Sequence, residues 1–92
     1  MPRRDRSRYF SSRTVKVIFD RDNYTCIYCG KPANVVDHIL SYKLGGNTTE
    51  DNGVACCKSC NKLKENDSQG KFLIKGIEYI TKLKENKISR RR

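Results

Sequence analysis

The sequence predicts a small α+β domain stapled by zinc, and three observations support this prediction. Two Cys-x-x-Cys pairs, Cys26 with Cys29 and Cys57 with Cys60, have the spacing that lets four thiolates converge on one tetrahedral metal ion. A β-branched, apolar run between the pairs, at residues 35–40, predicts a strand. Apolar residues at helical spacing follow the basic N-terminus and recur near the C-terminus, which predicts helices that flank the stapled core.

The N-terminal half of the chain is predicted to contain a basic arm, one helix and one strand. Residues 1–11 are basic and polar, which predicts a flexible arm. Ser11 and Ser12 are residue types that cap helix N-termini, and the apolar residues after them repeat at the spacing of a short helix. The predicted strand at 35–40 is followed by residues 41–47, which are expected to return as a second, short strand or to form an extended loop.

The C-terminal half is predicted to contain helices on either side of a break at Gly70. Residues 48–52 have the composition of a helix start, and Gly53 limits the length of the helix that could follow. A helix is expected to follow the second cysteine pair over residues 58–65. Residues 70–92 are expected to form a basic amphipathic helix with an arginine tail, because apolar residues mark one face of that segment: Leu73, Ile74, Ile77, Ile80 and Leu83.

The charge balance points to a nucleic-acid partner. The formal net charge is +10, from 20 Lys and Arg against 10 Asp and Glu, and such a surface attracts polyanions through phosphate contacts and counterion release. Basic residues crowd both termini, and the nucleic-acid-binding candidates there are Arg3, Arg4, Arg90, Arg91 and Arg92. A surface tuned only for solubility is the less favoured interpretation. Anionic lipid is also disfavoured, because no strongly apolar face accompanies these arginines.

Several features favour an intracellular location, in the cytoplasm or, for a phage-encoded protein, in the host cell. No stretch of the sequence is apolar and long enough to span a bilayer, so no membrane partner is expected. The basic N-terminus lacks the apolar run that follows it in a signal peptide. In a reducing compartment, paired cysteines are more often metal ligands than disulfides. The count of 5 cysteines is also odd, which argues against a complete disulfide framework.

The four paired cysteines are expected to hold a structural Zn²⁺ ion. Four thiolates complete a tetrahedral shell and leave no open position, so this zinc should take no part in chemistry. The adjacent Cys56 and Cys57 leave two candidates for the third ligand. We favour Cys57 because it repeats the Cys-x-x-Cys spacing, and Cys56 is then expected to be a small buried hydrophobe. Unligated core cysteines or disulfides are the less favoured alternative.

A second site, of a different chemical kind, is indicated by Asp37, His38 and Asn61. In a strand, Asp37 and His38 point to opposite faces unless the strand ends or bulges there. Asn61 directly follows the zinc ligand Cys60, so its position should be rigid. Carboxylate and amide oxygens suit a hard cation such as Mg²⁺. A neutral imidazole beside that cation could take a proton from water.

Several short motifs occur along the chain in a fixed order. They are Val-Asp-His-Ile at 36–39, Gly-Gly-Asn at 45–47, Asp-Asn-Gly at 51–53 and Cys-Lys-Ser-Cys-Asn-Lys-Leu-Lys at 57–64. Residues 21–32 precede them and contain the first Cys-x-x-Cys turn, which we call the first knuckle. The chain resembles the HNH endonucleases, which are ββα-metal or His-Me finger nucleases, over roughly residues 12–65. The resemblance implies a small zinc-stapled ββα-metal core at 12–69, with flanking N- and C-terminal helices.

The resemblance also implies a role for each candidate site residue. His38 would be the general base that activates the attacking water. Asp37 and Asn61 would hold the single catalytic Mg²⁺ or Mn²⁺, and the zinc would be scaffold only. Asn52 would pin its loop and help to orient the histidine. The products implied are 5′-phosphate and 3′-hydroxyl ends.

The sequence departs from the family pattern at two places. Many members have Cys-His where this chain has Cys60 followed by Asn61. Because Asn is a weaker ligand for soft or borderline metals, we expect Mg²⁺ or Mn²⁺ and disfavour catalytic zinc. In addition, Gly-Val-Ala at 53–55 replaces the more usual leucine-rich turn, which puts local packing in question rather than chemistry.

Double-stranded DNA is the expected substrate, with branched DNA and RNA as open alternatives. Lys43, Lys62 and Lys64 are further candidates for phosphate contacts, and ordinary surface positions are equally compatible with them. The length of 92 residues predicts either low intrinsic specificity or specificity lent by a homodimer or a protein partner. Nicking and double-strand cleavage both stay open. The alternative function is a catalytically silent zinc-ribbon module that binds nucleic acid.

Overall fold

The architecture is a two-stranded antiparallel sheet surrounded by helices. A computed structural model describes the backbone of residues 8–90 and the side chains of residues 8–85. Within these residues the elements are α1 (Ser12–Arg21), β1 (Val35–His38), β2 (Gly53–Cys56), α2 (Lys58–Lys64) and α3 (Lys71–Arg90). The order β1, β2, α2 makes a ββα unit with a helix before it and a helix after it. The predicted small α+β fold with flanking helices is thus confirmed.

Helix α1 begins where the sequence predicts it. The Ser11 hydroxyl accepts a hydrogen bond from the Thr14 N–H at 3.2 Å, which satisfies one of the free N–H groups of the first turn. Ile18 of this helix is completely buried, and α1 packs against both strands. The first helix therefore serves as the layer that covers one face of the sheet.

The end of α1 is tied to the sheet and to the last helix by a buried carboxylate. Asp22 is 5% exposed and accepts hydrogen bonds from the Arg21 guanidinium at 2.7 Å and from the Ala55 N–H at 2.9 Å. The Tyr79 hydroxyl of α3 donates to the same carboxylate. Burial, and then the hydrogen bond to Asp22, raises the pKa of Tyr79 to about 12, so the phenol stays a donor.

The second strand is not at residues 41–47, for which the sequence left a short strand or an extended loop open. It lies later in the chain. Residues 42–44 form a short 3-10 turn, and Gly45 ends it in the left-handed region with φ 98°. The partner of β1 is instead Gly53–Cys56, with Val35 opposite Cys56 and His38 opposite Gly53. The expected helix start at 48–52 is only a 3-10 turn over Glu50–Asn52.

The core lies between the sheet, the first cysteine knuckle and α3. Its buried members include Val54, Cys56, Tyr28, Ile39 and Ile80. The glycine inside α3, at position 76, lets the helix approach closely, since a Cβ there would lie 2.9 Å from the Ile39 side chain. Among the described residues, no helix has both the length and the apolar character needed to cross a membrane.

Candidate functional site: a cysteine cluster beside an open cleft

The two cysteine pairs meet in one cluster. The Sγ atoms of Cys26, Cys29, Cys57 and Cys60 all lie within 4.8 Å of one another, and those of Cys29 and Cys57 are 3.6 Å apart. A tetrahedral ion with Zn–S bonds of about 2.3 Å would separate its sulfurs by roughly 3.8 Å, so the cluster fits such an ion. The four cysteines are positioned to hold a metal ion, with the all-thiolate donor set that structural zinc sites use.

Local backbone turns position these four thiols. In the first knuckle the Cys26 N–H donates to the Lys31 carbonyl at 2.7 Å, and the Gly30 N–H donates to the Cys26 carbonyl at 2.9 Å. The turn needs Gly30, which has φ 85°. The second pair begins α2, where the Cys57 side chain accepts from the Cys60 N–H. Although burial opposes its ionisation, N–H groups of Cys57 and neighbouring backbone lower the pKa of Cys26 to about 6.

Cys56 lies outside this cluster. It is completely buried, and its thiol donates to the Cys57 carbonyl at 3.2 Å. Burial first, and then the nearby Cys26 and Asp37 side chains, raise the pKa of the Cys56 thiol. Cys56 is therefore a buried neutral thiol in the core, and Cys57 supplies the sulfur that converges with the other three.

Asp37 lies at the centre of the second group of polar residues. It is 8% exposed, and one carboxylate oxygen accepts from the Asn61 side-chain amide at 3.1 Å. The other oxygen accepts from the Tyr28 hydroxyl at 3.0 Å and from the Lys64 ammonium at 2.7 Å. Burial, and then the Asp37 charge, raises the pKa of Tyr28, so its hydroxyl stays a donor. Strand β1 and helix α2 thus bring Asp37 and Asn61 into contact.

The Lys64 ammonium occupies a pocket of oxygen atoms beside Asp37. In addition to the carboxylate it contacts the main-chain carbonyl oxygens of His38 and Ile39. The Lys64 and Asp37 side chains are only 15% and 10% exposed, so this is a shielded ion pair rather than a surface pair. One carboxylate and two carbonyls form an environment of hard oxygen donors that already holds a cation, and such donors also suit Mg²⁺ or Mn²⁺.

His38 is half-buried at the end of β1 and is held on several sides. One ring nitrogen, Nε2, lies 3.0 Å from the hydroxyl oxygen of Thr48. The Phe10 ring packs on the imidazole with centroids 4.5 Å apart, and the Tyr42 ring approaches edge-on at 6.2 Å. Because the strand ends at His38, both His38 and Asp37 line one cleft instead of facing away from each other.

Asn52 fixes the loop between the two strands. Its side-chain oxygen accepts from the Leu40 N–H at 2.9 Å, and its amide nitrogen donates to the carbonyls of Leu40 and Asn47 at 3.0 and 2.8 Å. The loop also passes so close to itself that a Cβ at Gly46 would collide with the Leu40 carbonyl. The amide of Asn52 therefore closes the loop that carries Thr48.

The cleft has a volume of about 690 Å³. Its lining includes Asp37, His38, Asn61 and Lys64 at the bottom and the basic side chains of Arg8 and Lys43. The remaining lysine candidate, at position 62, is exposed and is not among the lining residues. The terminal candidates Arg3, Arg4, Arg91 and Arg92, and the side chain of Arg90, lie outside the described residues.

Some residues of the site were not singled out from the sequence. Tyr28 contacts Asp37, while Thr48, Phe10 and Tyr42 contact His38. Only Tyr28 carried a sequence signal, because it lies inside the first Cys-x-x-Cys turn. The other contacts are made across the fold by residue types that are common anywhere in a protein.

Comparison with known families agrees with this geometry. The model of the family described as HNH endonuclease matches residues 26–67, which confirms the resemblance seen in the motifs. The matched segment spans both cysteine pairs, the loop residue Asn52 and four residues that line the cleft: Asp37, His38, Asn61 and Lys64. A search among curated proteins found no match.

Proposed function

Since residues 26–67 match the HNH endonuclease family and thereby indicate a nuclease-type function, we propose that the chain is a metal-dependent endonuclease that hydrolyses DNA phosphodiester bonds. One observation carries the proposal. The Asp37 carboxylate, the Asn61 amide and the His38 imidazole line one cleft that is separate from the cysteine cluster. A purely structural zinc module needs no imidazole and no second, oxygen-rich cation environment beside its cysteines.

His38 acts as the general base. The imidazole takes a proton from water as the water oxygen attacks phosphorus in line with the departing 3′ oxygen. The phosphorus–O3′ bond breaks, the 3′ oxygen gains a proton from solvent, and the imidazolium returns its proton to solvent. The products are a 5′-phosphate and a 3′-hydroxyl. The contacts with Phe10 and Tyr42 support this role, because they restrict the plane of the imidazole ring.

Asp37 and Asn61 would hold one Mg²⁺ or Mn²⁺ ion. When bound, the ion supplies charge stabilisation at the scissile phosphate and the leaving oxygen. The Lys64 ammonium among the oxygens of Asp37, His38 and Ile39 supports this assignment, because these oxygens already pair with a positive charge. The Asn61 amide lies against the carboxylate, and a rotation of the amide presents its oxygen in place of its nitrogen.

The rest of the chain supplies scaffold and phosphate contacts. A zinc ion on the four cysteines would hold the first knuckle to the start of α2, and would so fix Asn61 one residue beyond Cys60. Lys43 and Arg8 at the cleft, together with the basic termini, would track the backbone of double-stranded DNA. Contacts of this kind position a duplex without reading its sequence, so any specificity would come from a second copy or a partner protein.

The test is cleavage of supercoiled plasmid with Mg²⁺ or Mn²⁺ by the wild type, His38→Ala and Asp37→Asn. The wild type should convert the plasmid to nicked or linear forms. His38→Ala should lose at least about 100-fold in rate, the usual contribution of a general base, while its zinc content and DNA affinity stay unchanged. Asp37→Asn should require far more metal for any activity.

Two results would contradict the proposal. Equal cleavage by the wild type and His38→Ala would show that another group, or a contaminant, does the chemistry. Salt-sensitive DNA binding without cleavage of plasmid, branched DNA or RNA would favour the silent zinc module instead.

A further inference from the structure

We propose that a second groove, which adjoins the cleft between α1 and β1, binds one unpaired nucleobase of the DNA. The substrate is then a duplex in which the nucleotide next to the scissile phosphate is unpaired, as in a bulge, a flap or a branch point. The inference rests on the proposed function, because it takes the scissile phosphate to lie beside His38. It names the substrate class of that site.

This side groove has the size and the lining of a site for a flat, uncharged group. Its volume is about 390 Å³, at the lower end of the roughly 300–1,000 Å³ that is usual for small-ligand sites. Its walls include half-buried apolar side chains from the segment before α1, from α1 and from β1: Phe10, Val15, Phe19 and Val36. The Phe19 ring is held by stacking on Tyr24, with centroids 5.5 Å apart. Aromatic and apolar walls suit the face of a nucleobase and not a phosphate.

The side groove is continuous with the cleft. His38 and Arg8 line both of them. One sugar links a base to its phosphate, so a strand whose phosphate lies beside His38 can place the adjoining base in the side groove. This continuity connects the apolar groove to the DNA strand and not to an unrelated ligand.

The polar groups of the side groove fit a nucleotide. Arg8 is exposed, with its guanidinium over the Tyr42 ring at 6.0 Å from the centroid, and it brings a positive charge to the junction that the sugar–phosphate backbone would cross. Asn34 also lines the groove, and its side-chain oxygen accepts from the Lys58 N–H at 2.9 Å. The side-chain nitrogen of Asn34 is therefore the group that can donate to a base edge.

The duplex itself explains why the bound base must be unpaired. In a continuous duplex every base is stacked inside the helix and points away from its phosphate, so it reaches a groove beside that phosphate only by leaving the stack. Extrusion costs least where the nucleotide is already unpaired. Stacking tolerates any base, because every base has a π-face, so the groove should read the presence of an unpaired base more than its identity.

The first test measures affinity and requires no cleavage. Zinc-loaded protein, in the absence of Mg²⁺ and Mn²⁺, is titrated with a continuous duplex, the same duplex with a single-nucleotide bulge, and that bulge with an abasic nucleotide. The abasic bulge keeps the flexible backbone and lacks only the base. One stacked base typically changes affinity by roughly 5- to 150-fold. We therefore expect the base-bearing bulge to bind at least about 5-fold more tightly than the abasic bulge.

A matched pair of variants assigns this preference to the side groove. Val15→Phe fills the groove, whereas Val17→Phe adds the same bulk to the same helix at a side chain that is 39% exposed and is not among the lining residues. Val15→Phe should lose the preference for the base and keep its affinity for the continuous duplex, while Val17→Phe should keep both. Phe19→Leu, which retains an apolar wall without a stacking ring, should weaken the preference and replaces Val15→Phe if that variant loses zinc or its thermal transition.

The outcomes separate this inference from the proposed function. Equal affinities of the wild type for the base-bearing and abasic bulges would overturn the inference, as would equal effects of Val15→Phe and Val17→Phe. With Mg²⁺ or Mn²⁺ added, the wild type should cut the bulged strand at a phosphate next to the unpaired nucleotide. Cleavage of the continuous duplex without any base-dependent affinity would overturn the inference and leave the nuclease proposal standing. Base-dependent affinity without cleavage of any DNA would support the groove and count against the nuclease proposal alone.

Discussion

The cysteine cluster and the open cleft lie side by side but are built in different ways. Four side chains of one type, from two local turns, make up the cluster. The cleft is lined by unlike side chains from several parts of the chain, including the segment before α1, strand β1, the loop between the strands, and α2. Hydrogen bonds hold several of these side chains in place. A site that closes on its ligands stabilises a fold, whereas a site that leaves space beside its polar groups can accept a substrate.

The two regions are also coupled. Cys60 belongs to the cluster, and the next residue, Asn61, contacts Asp37 in the cleft. Cys57 begins the helix that carries Asn61 and Lys64. Any ion held by the cysteines therefore positions one wall of the cleft, although it has no open coordination position of its own. The comparison predicts that damage to the cluster removes both regions, while damage to the cleft leaves the cluster in place.

The largest effect is expected from Cys57→Ser. Structural zinc contributes on the order of 10 kcal/mol to the folding of small domains, and loss of one thiolate should remove most of that. We expect a chain without bound zinc and without the helical signal in circular dichroism. Cys56→Ala is the matched control, and it should keep zinc and fold because Cys56 lies outside the cluster. Zinc retained in Cys57→Ser but lost in Cys56→Ala would exchange the roles of the two cysteines.

A smaller and metal-dependent effect is expected from Lys64→Met. In the metal-free cleft this change leaves the Asp37 carboxylate buried without its cation, at a cost of about 3 kcal/mol in the free energy of unfolding. Mg²⁺ should restore much of the loss, and Mn²⁺ should bind more tightly than in wild type because no ammonium competes for the same oxygens. Urea unfolding of the zinc-loaded protein, with and without Mg²⁺, measures the first effect.

The control for this prediction is Lys62→Met, which removes the same charge from an exposed position of the same helix. It should change neither stability nor Mn²⁺ affinity. If Lys64→Met lost the same stability with and without Mg²⁺, the ammonium would be a structural part of the core and not a stand-in for a metal ion.

The smallest effect is expected from Lys43→Ala, which touches neither the cluster nor the bottom of the cleft. Lys43 lines the cleft and is exposed, so its removal should weaken DNA binding about equally for all sequences. The slope of log affinity against log salt should fall by about 0.9 if the lysine neutralises one phosphate. Lys62→Ala, outside the cleft lining, should leave the slope closer to the wild-type value. A larger fall in the slope for Lys62→Ala than for Lys43→Ala would indicate that the DNA runs along the outer side of α2 instead.

Much of the scaffold could be predicted from the sequence because its signals are local. The Ser11 cap, the paired cysteines and the break at Gly70 depend on neighbours within a few residues. Strand β2 could not be predicted in this way, since it begins at Gly53, a residue that disfavours strands. It forms there because it pairs with β1, and glycine suits position 53 because a Cβ there would lie 2.7 Å from the Ile18 side chain and 2.9 Å from the Phe10 ring.

By itself, the sequence determined the four-cysteine cluster, the adjacent Asp37 and His38, and the position of Asn61 after the last cysteine. The contacts of Lys64 with Asp37 and of Thr48 with His38 arise only in the folded chain. The physical reason is that metal knuckles and caps are encoded by short-range spacing. The contact of Thr48 with His38 joins residues 10 positions apart and that of Lys64 with Asp37 joins residues 27 positions apart, so chain folding alone brings these pairs together.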